Sequence, residues 1–353
     1  MRLLKTLALA STASAVLAAV PVHAQQSAND PVSAESPDPG IVVTARRQNE
    51  RLQDVPASVS VLTSEAIANT GATSADDFAQ LTPGVTIVTG TAEAGDTQVN
   101  IRGINGARDA ESSVALVVDG ILKTNTAQLN QPQGTLRQVE ILKGPQGALY
   151  GRNAAAGAIV LQTVKPGDVF EGAIKGSYGE NNTWQGMGHI AGPLGENLGF
   201  VVSGLYRRTD GFFRNSFLAD SKSVDDQEVW AVDGRLVAGL GDATELDIKA
   251  RYSELRGASI AFNAAFHLPN FAGVNPAFFE DVNTHPFNFY NNIRPTNAQD
   301  SFDVSAKIDH EFGNGMTLTA WALYSDVQQS LIADGTSADF ARFISAVDPD
   351  VSD

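Results

Sequence analysis

The 353-residue sequence contains no cysteine and few basic residues. Without cysteine, an exported chain has no disulfide scaffold, and no metal site can be built on thiolates. The 24 Lys and Arg residues face 40 Asp and Glu residues, which gives a net charge of −16. Because binding to phosphates requires a basic patch, this balance excludes nucleic acid as a partner.

Histidine is also scarce, and none of the five lies in a recognisable catalytic motif. The glycine-rich stretch GPQGALYG at 144–151 lacks the Gly-Lys-Ser/Thr of a phosphate-binding loop and the GxGxxG spacing of a dinucleotide turn. We therefore expect a protein that is not an enzyme and that has no cofactor and no metal site.

Long apolar runs are missing except at the N-terminus. Arg2 and Lys5 precede an uncharged stretch from Leu7 to Val20, and Ala24 ends a small-residue cleavage site. This pattern predicts a signal peptide over 1–24 for the Sec pathway, with a retained membrane helix as the weaker alternative. No later stretch reaches the roughly 18 apolar residues of a membrane helix, so a mature chain in a membrane must cross it as a β-barrel.

Residues 25–54 are predicted to form a flexible leader. The stretch 25–40 is rich in Ser, Ala, Asp, Glu and Pro and has almost nothing to bury. Within the leader, residues 41–46 (IVVTAR) are prone to form a β-strand. This segment is either an ordinary edge strand or a strand that binds a partner protein by pairing with the edge of the partner's sheet.

Residues 55–166 are predicted to fold as a small mixed α/β domain. One short helix begins at Thr63 or Ser64 and stops at Gly71, and a second begins at Ser74 and ends before Pro83. The expected strands lie near 57–62, 85–88, 98–102, 114–118, 139–142 and 158–163.

Residues 167–353 alternate between apolar and polar side chains, as amphipathic strands do. Many of these segments reach the roughly 10 residues of a tilted membrane strand, and tight turns alternate with the long loops 209–226 and 253–300, as in outer-membrane barrels. Alternation alone does not tell which face meets lipid. The seven expected strands lie near 172–179, 183–192, 198–208, 227–239, 245–252, 302–312 and 315–326.

Four motifs in the N-terminal half resemble the plug domain of TonB-dependent receptors, which sits inside an outer-membrane barrel. They are PASVSVLTSEAI at 56–67, VNIRGING at 99–106, VALVVDGI at 114–121, and QVEILKGPQGALYG at 138–151 with its continuation RNAAAGAIVLQT. The resemblance implies an α+β plug domain followed by antiparallel transmembrane β-barrel strands. It departs at Ala156-Gly157-Ala158-Ile159-Val160, where the family commonly has paired glycines and an Asn.

The resemblance also implies roles for particular residues. The TonB box, which would bind the inner-membrane energising protein TonB, corresponds to Ile41, Val42, Val43, Thr44 and Ala45. Arg102 and Arg152 either pair with inward carboxylates of the barrel or stay solvated. A structural or gating role in the plug motif falls to Arg102, Gly103, Asp119, Gly120, Gly144, Pro145, Gly147, Tyr150, Gly151 and Arg152. Candidate ligand-binding positions at the plug apices are Asp96, Asn105, Arg108 and Asn125.

The function implied is energy-coupled uptake of a scarce small-molecule ligand across the outer membrane of a Gram-negative cell, with TonB and outer-membrane lipid as partners. A ferric siderophore or other iron complex is the first expectation for the ligand. Carbohydrate, cobalamin and other organic nutrients are the alternatives within the class, and a passive porin-like channel or an adhesin is the alternative outside it. Since plugged transporters have about 22 strands and only seven are visible, we expect a C-terminally truncated barrel.

Overall fold

The structure, a computed structural model, describes residues 40–44, 46–70, 75–89, 97–105, 112–123, 129, 135–215, 218, 222, 224–258, 288–289 and 293–332. The predicted signal peptide and most of the predicted leader lie outside these residues. The chain divides into two units, Met1–Gly40 and Ile41–Asp353, and every element below lies in the second. In the described part of the chain, no helix has the length and apolar character needed to cross a membrane.

Ten short strands form what we call the α/β domain (residues 41–163). They are β1 (Val42–Val43), β2 (Glu50–Arg51), β3 (Ser58–Thr63), β4 (Val85–Thr89), β5 (Thr97–Ile101), β6 (Ile104–Asn105), β7 (Val114–Val118), β8 (Ile121–Lys123), β9 (Leu136–Lys143) and β10 (Gly157–Thr163). Among the described residues of the domain, a 3-10 helix (Leu52–Asp54) and the α-helices α1 (Ser64–Thr70), α2 (Ala75–Gln80) and α3 (Gly147–Tyr150) accompany these strands. Each strand predicted for this region is present within three residues of its expected bounds.

The central sheet of the domain has the order β3-β9-β10-β7-β8, in which only β10 and β7 run parallel. Every residue of β7 is buried, because apolar clusters cover both faces of the sheet. One cluster packs Phe78 and Ile101 against the sheet. The other packs Val43 and Tyr150 against the opposite face.

Seven longer antiparallel strands follow and form a second sheet, the long sheet. They are β11 (Glu171–Gly179), β12 (Thr183–Gly195), β13 (Leu198–Thr209), β15 (Gln227–Gly239), β16 (Thr244–Gly257), β18 (Thr296–Glu311) and β19 (Thr317–Ile332), paired in chain order. The intervening β14 (Arg214–Asn215) and β17 (Asn288–Phe289) pair with each other. All seven predicted strands are present, and β16, β18 and β19 extend further towards the long loops than predicted.

The long sheet exposes its apolar face and buries its polar one. Ile174 and Leu236 are 92% and 45% exposed, whereas Arg235 and Asp247 are each 4% exposed. In a protein surrounded by water this arrangement would be unfavourable, because exposed contiguous apolar surface costs free energy. The structure therefore answers the question that alternation left open, since the charged face is the one turned towards the α/β domain.

Aromatic side chains form a band on the exposed face, near the end of the sheet that carries the long loops. Rings meet in pairs at 4.5 Å (Tyr178 and Trp184), 5.2 Å (Trp230 and Tyr252) and 6.5 Å (Phe302 and Tyr324) between centroids. Such bands are typical of the membrane–water interface. Trp321 lies outside this band, because it is paired with Lys307 and so shares the opposite face.

The stretch 41–54 was predicted as the end of the leader, with a β-prone segment at 41–46. It contains β1, β2 and the 3-10 helix, with register pairs Val42–Arg51 and Val43–Glu50. Val43 is completely buried. Besides this local pairing, Thr44 contacts Glu140, which lies 96 positions away in the chain.

Gly157 lies where no larger residue fits. A Cβ atom there would come within 2.2 Å of the carbonyl oxygen of Leu142 and 2.9 Å of Ile101 Cδ1. We predict that Gly157→Ala lowers the free energy of unfolding by about 1–3 kcal/mol, since overpacked cores must shift backbone or side chains. The change in the free energy of unfolding is measured by urea unfolding of the protein in detergent, with hydrogen exchange of β9 and β10 as the readout.

Gly147→Ala is the matched control, because a Cβ atom at Gly147 meets nothing within 4 Å. Equal stability of the two variants would show that the close approach at Gly157 does not constrain the domain.

Candidate functional site

The first part of the site is the coupling segment, residues 41–47, which lies on the α/β domain. Ile41 and Val42 are 42% and 45% exposed, while Val43 enters the apolar cluster beside Tyr150. Main-chain pairing in β1 extends over only two residues. Ala45 lies outside the described residues. The segment is thus held by few contacts.

The most specific of these contacts is with Glu140 of β9. The amide N–H of Thr44 donates to both carboxylate oxygens, at 2.9 and 3.0 Å, and the Thr44 hydroxyl donates to Oε1 at 3.1 Å. Gln138 Nε2 donates to the carbonyl oxygen of Val42 at 3.0 Å and to Glu140 Oε1 at 3.0 Å. Gln162 Nε2 donates to Thr44 Oγ1 at 2.8 Å and also to Glu140.

Tyr150 packs in the same apolar cluster as Val43 of this segment. Its ring is buried, and the Arg47 guanidinium carbon lies 5.4 Å from the ring centroid, which is a cation–π distance. Burial raises the pKa of Tyr150 to about 12, assisted by the charge of Glu140 and opposed by Arg47. The phenol is therefore neutral at physiological pH.

The second part of the site joins the α/β domain to the long sheet, and it is built on a tight turn. Asp119 and Gly120 connect β7 to β8, with Val118 paired to Ile121 and φ values of 49° and 85°. Positive φ at both central residues is the type I′ geometry, for which Asp-Gly is a preferred pair. The turn brings the Asp119 carboxylate to the wall of the long sheet.

Asp119 is the centre of a buried ion network. Its carboxylate accepts a hydrogen bond from Lys249 Nζ of β16, and Arg235 Nη1 of β15 lies 3.7 Å away. The amide and hydroxyl of Thr163 donate to it at 2.9 and 2.8 Å. Burial alone would raise the pKa of Asp119, but Lys249 and Arg235 outweigh it and hold that pKa well below its usual range.

Arg235 completes this network from the wall. It forms a bidentate pair with Asp247, at 3.0 and 2.6 Å. Its Nη1 also donates to Thr163 Oγ1 at 3.1 Å and to the Val164 carbonyl at 2.9 Å. The end of β10 is thereby attached to the long sheet by the side chain that contacts Asp119.

A second ion pair crosses the same interface. Lys123 of β8 lies 3.4 Å from Asp303 of β18, and both side chains are largely buried. Burial lowers the pKa of Lys123, while Asp303 opposes the shift. A cleft between the two sheets is lined by these residues together with Val118, Asp233 and Arg251.

The other predicted motif residues lie elsewhere. Arg102 and Arg152 are exposed, and among the described residues neither forms an ion pair with the long sheet. Positive φ values at Gly103, Gly144 and Gly151 place these glycines at turns. Pro145 is exposed and Gly147 begins α3. Asn105 is exposed in β6, and Asp96, Arg108 and Asn125 lie outside the described residues.

Sequence reasoning missed several residues that make these contacts. Glu140 gave a signal, because it is the one charged residue inside the apolar run VEIL at 139–142. The alternating pattern of β16 predicts a polar face that contains Asp247 and Lys249, but it does not predict which residues they contact. Arg235 and Thr163 had no signal of their own. Across the residues that the structure describes, no group of His, Asp and Glu side chains is suited to hold a metal ion.

Comparison with known proteins assigns the α/β domain. Residues 51–158 match the family described as TonB-dependent Receptor Plug Domain. The pesticin receptor of Yersinia pestis is 30% identical over 174 residues, which cover 48% of this chain and 25% of the receptor. The vitamin B12 transporter BtuB of Vibrio vulnificus is 35% identical over 127 residues, or 35% of this chain and 20% of BtuB. The chain thus spans about a quarter of the pesticin receptor's length.

Solved structures extend the likeness to the long sheet. The ferric yersiniabactin uptake receptor FyuA from Yersinia pestis superposes with a TM-score of 0.64 at 19% identity, covering 79% of this chain and 42% of FyuA. The pyoverdine outer membrane receptor FpvA from Pseudomonas aeruginosa PAO1, bound to pyoverdine, gives 0.66 at 22% identity, covering 85% and 42%. At these identities the likeness concerns the fold.

Together the fold and the interface define an architecture in which an α+β domain lies against the charged face of a sheet of long antiparallel strands, as in the solved receptor structures. Residues 51–158 thus match the plug domain of TonB-dependent receptors, and the long sheet shares its fold with the solved receptor structures. The expected fold class is confirmed.

The ion network predicts a large electrostatic effect at Asp119. Asparagine tolerates positive φ, so Asp119→Asn keeps the turn but leaves Lys249 without its anionic partner. We predict a loss of about 3 kcal/mol in the free energy of unfolding at pH 7, as expected when one partner of a buried ion pair is removed. Guanidinium unfolding in detergent measures this, and adding Lys249→Met should recover part of the loss.

Glu245→Gln is the control, since the Lys165–Glu245 pair is about 40% exposed on both sides and should contribute less than about 1 kcal/mol. Because the pKa of Asp119 is lowered on folding, its contribution is complete above the usual Asp pKa and is lost as the pH falls below it. A difference between wild type and Asp119→Asn that vanished between pH 7 and pH 5 would contradict the assignment.

Proposed function

We propose that this chain is part of an outer-membrane receptor that takes up a small-molecule ligand with energy supplied by TonB. The exposed apolar face of the long sheet and its aromatic band support a place in the lipid bilayer. The predicted signal peptide over 1–24 would direct the chain across the inner membrane. No catalytic role is proposed, and the named relatives are receptors and a transporter.

A passive channel is the candidate of another class, and the interface between the two sheets speaks against it. Asp119 and Lys123 attach the α/β domain to the inner face of the long sheet by buried ion pairs. A domain fixed there would obstruct diffusion through the barrel. Uptake would then require work on the domain, which an energising partner supplies.

The observation that carries the proposal is that the coupling segment is a short, partly exposed strand. It is a short strand with two exposed apolar residues, Ile41 and Val42, attached mainly through Val43 and Thr44. A strand of this kind can leave the α/β domain and pair with the sheet of a partner, where main-chain hydrogen bonds supply the affinity. We propose TonB as that partner and residues 41–45 as its binding site.

For the ligand, we propose a ferric siderophore or another iron complex. In support, FyuA is described as a ferric yersiniabactin uptake receptor, and FpvA has been solved with pyoverdine. Cobalamin is the second candidate, because BtuB, described as a vitamin B12 transporter, is 35% identical to this chain over 127 residues. Uptake of iron-55 complexes and of cobalt-57 cyanocobalamin by cells that produce the receptor distinguishes the two.

We predict that Val43→Pro abolishes energy-coupled uptake and leaves ligand binding to the cell surface unchanged. Proline removes the main-chain donor that strand pairing needs, whereas the ligand binds on the opposite side of the membrane from TonB. Accumulation of a labelled ferric siderophore is compared with binding to de-energised cells.

Ala34→Pro, in the polar stretch before the segment, is the control and should transport normally. Continued uptake by Val43→Pro would show that residues 41–45 do not couple the receptor to its energy source.

A further inference from the structure

Glu140 is a buried carboxylate with an unusual set of neighbours. Its side chain is completely buried in β9, where Glu140 is paired with Val61 of β3 and Val160 of β10. Within the described part of the chain it forms no ion pair. In every hydrogen bond that it makes with Thr44, Gln138 and Gln162 it is the acceptor. An ionised carboxylate accepts in this way.

Burial of such a group is costly unless donors replace its water. Burial raises the pKa of Glu140, and the hydrogen bonds from Thr44, Gln138 and Gln162 oppose that shift. Asp119 offers the contrast, because its side chain is also largely enclosed but has Lys249 and Arg235 beside it. Glu140 depends on neutral donors instead, and Thr44 of the coupling segment supplies three of its contacts.

Glu140 and Gln138 bind main-chain groups of the coupling segment that an added strand would also need for hydrogen bonding. The Thr44 N–H is held by Glu140, and the Val42 carbonyl accepts from Gln138. On the other edge, β1 is paired with β2. A partner strand cannot form hydrogen bonds to these groups until they are released, so the docked state and the strand-paired state exclude each other.

We propose that Glu140, assisted by Gln138, is a clamp that holds the coupling segment on the α/β domain and sets the fraction of molecules whose segment is free. Glu140 thereby acts as a positioning residue. The identity of the partner rests on the proposed function, but the clamp itself does not.

A single spin label tests the clamp directly. The sequence has no cysteine, so Val42→Cys, at a position 45% exposed, carries the only label on the purified protein. Glu140→Ala should raise the mobile fraction of the label about tenfold, because hydrogen bonds to a buried charged group are lost from the docked state. A label as immobile in Glu140→Ala as in the parent protein would overturn the proposal.

Two further variants keep the test decisive. Glu50→Ala removes a carboxylate from the same region, where it pairs with Arg46 at 3.2 Å, and should leave the label immobile. Gln138→Ala removes the bond to the Val42 carbonyl from a less buried position and should give an intermediate mobile fraction. If Glu140→Ala does not fold, Gln138→Ala decides, and an unchanged label in that variant would overturn the clamp.

Binding of the purified periplasmic domain of TonB separates the clamp from the proposed partner. A segment that is mostly docked binds with an affinity reduced by its free fraction, so Glu140→Ala should bind TonB about tenfold more tightly. If the label became more mobile but the affinity for TonB did not change, the docked state and the strand-paired state would not exclude each other, and the proposal would be contradicted. Increased mobility with no TonB binding by either protein would support the clamp and refute TonB as the partner.

Discussion

The contact between the Asp119 carboxylate and the Lys249 ammonium is the interaction on which the two-sheet arrangement depends. The long sheet turns its charged residues towards the α/β domain, and that face is stable only if the opposing surface offers complementary charge. Asp119 offers it at the tip of a type I′ turn, where it also meets Arg235 and Thr163. The apolar residues of the long sheet are then left on the outside, where lipid is the favourable environment.

The last residues of β10 connect this network to the coupling segment. Gln162 donates to Thr44 and to Glu140, whereas its neighbour Thr163 binds Asp119, Arg235 and Lys249. Successive residues of a strand point to opposite faces of the sheet, so one strand end serves both contacts. The register of β10 with β9 shifts at the same two residues. Under the proposed function, a force on the coupling segment would therefore act on a strand end that is itself attached to the long sheet.

The sequence predicted the elements well and their contacts poorly. Strand bounds in the long sheet follow from alternation, and β15 was found at its predicted limits, between the long loop 209–226 and the tight turn after Gly239. The turn at Asp119 and Gly120 followed from local backbone chemistry. In contrast, the contact of Thr44 with Glu140 joins residues 96 positions apart, and no local pattern encodes it. For the same reason 41–54 was expected to be flexible, and two exposed arginines, Arg102 and Arg152, were considered as partners of the barrel wall.

The most direct test of the coupling mechanism is uptake by a receptor whose segment is tethered to the α/β domain. Cysteines at Val42 and Gln138, whose backbone carbonyl and side chain are in contact, would be joined by a bismaleimide with a disulfide in its spacer. Tethering should abolish accumulation of a ferric siderophore without changing its binding, and reduction of the spacer should restore accumulation. Accumulation at the untethered rate while the cross-link is intact would contradict release of the segment as a step in transport.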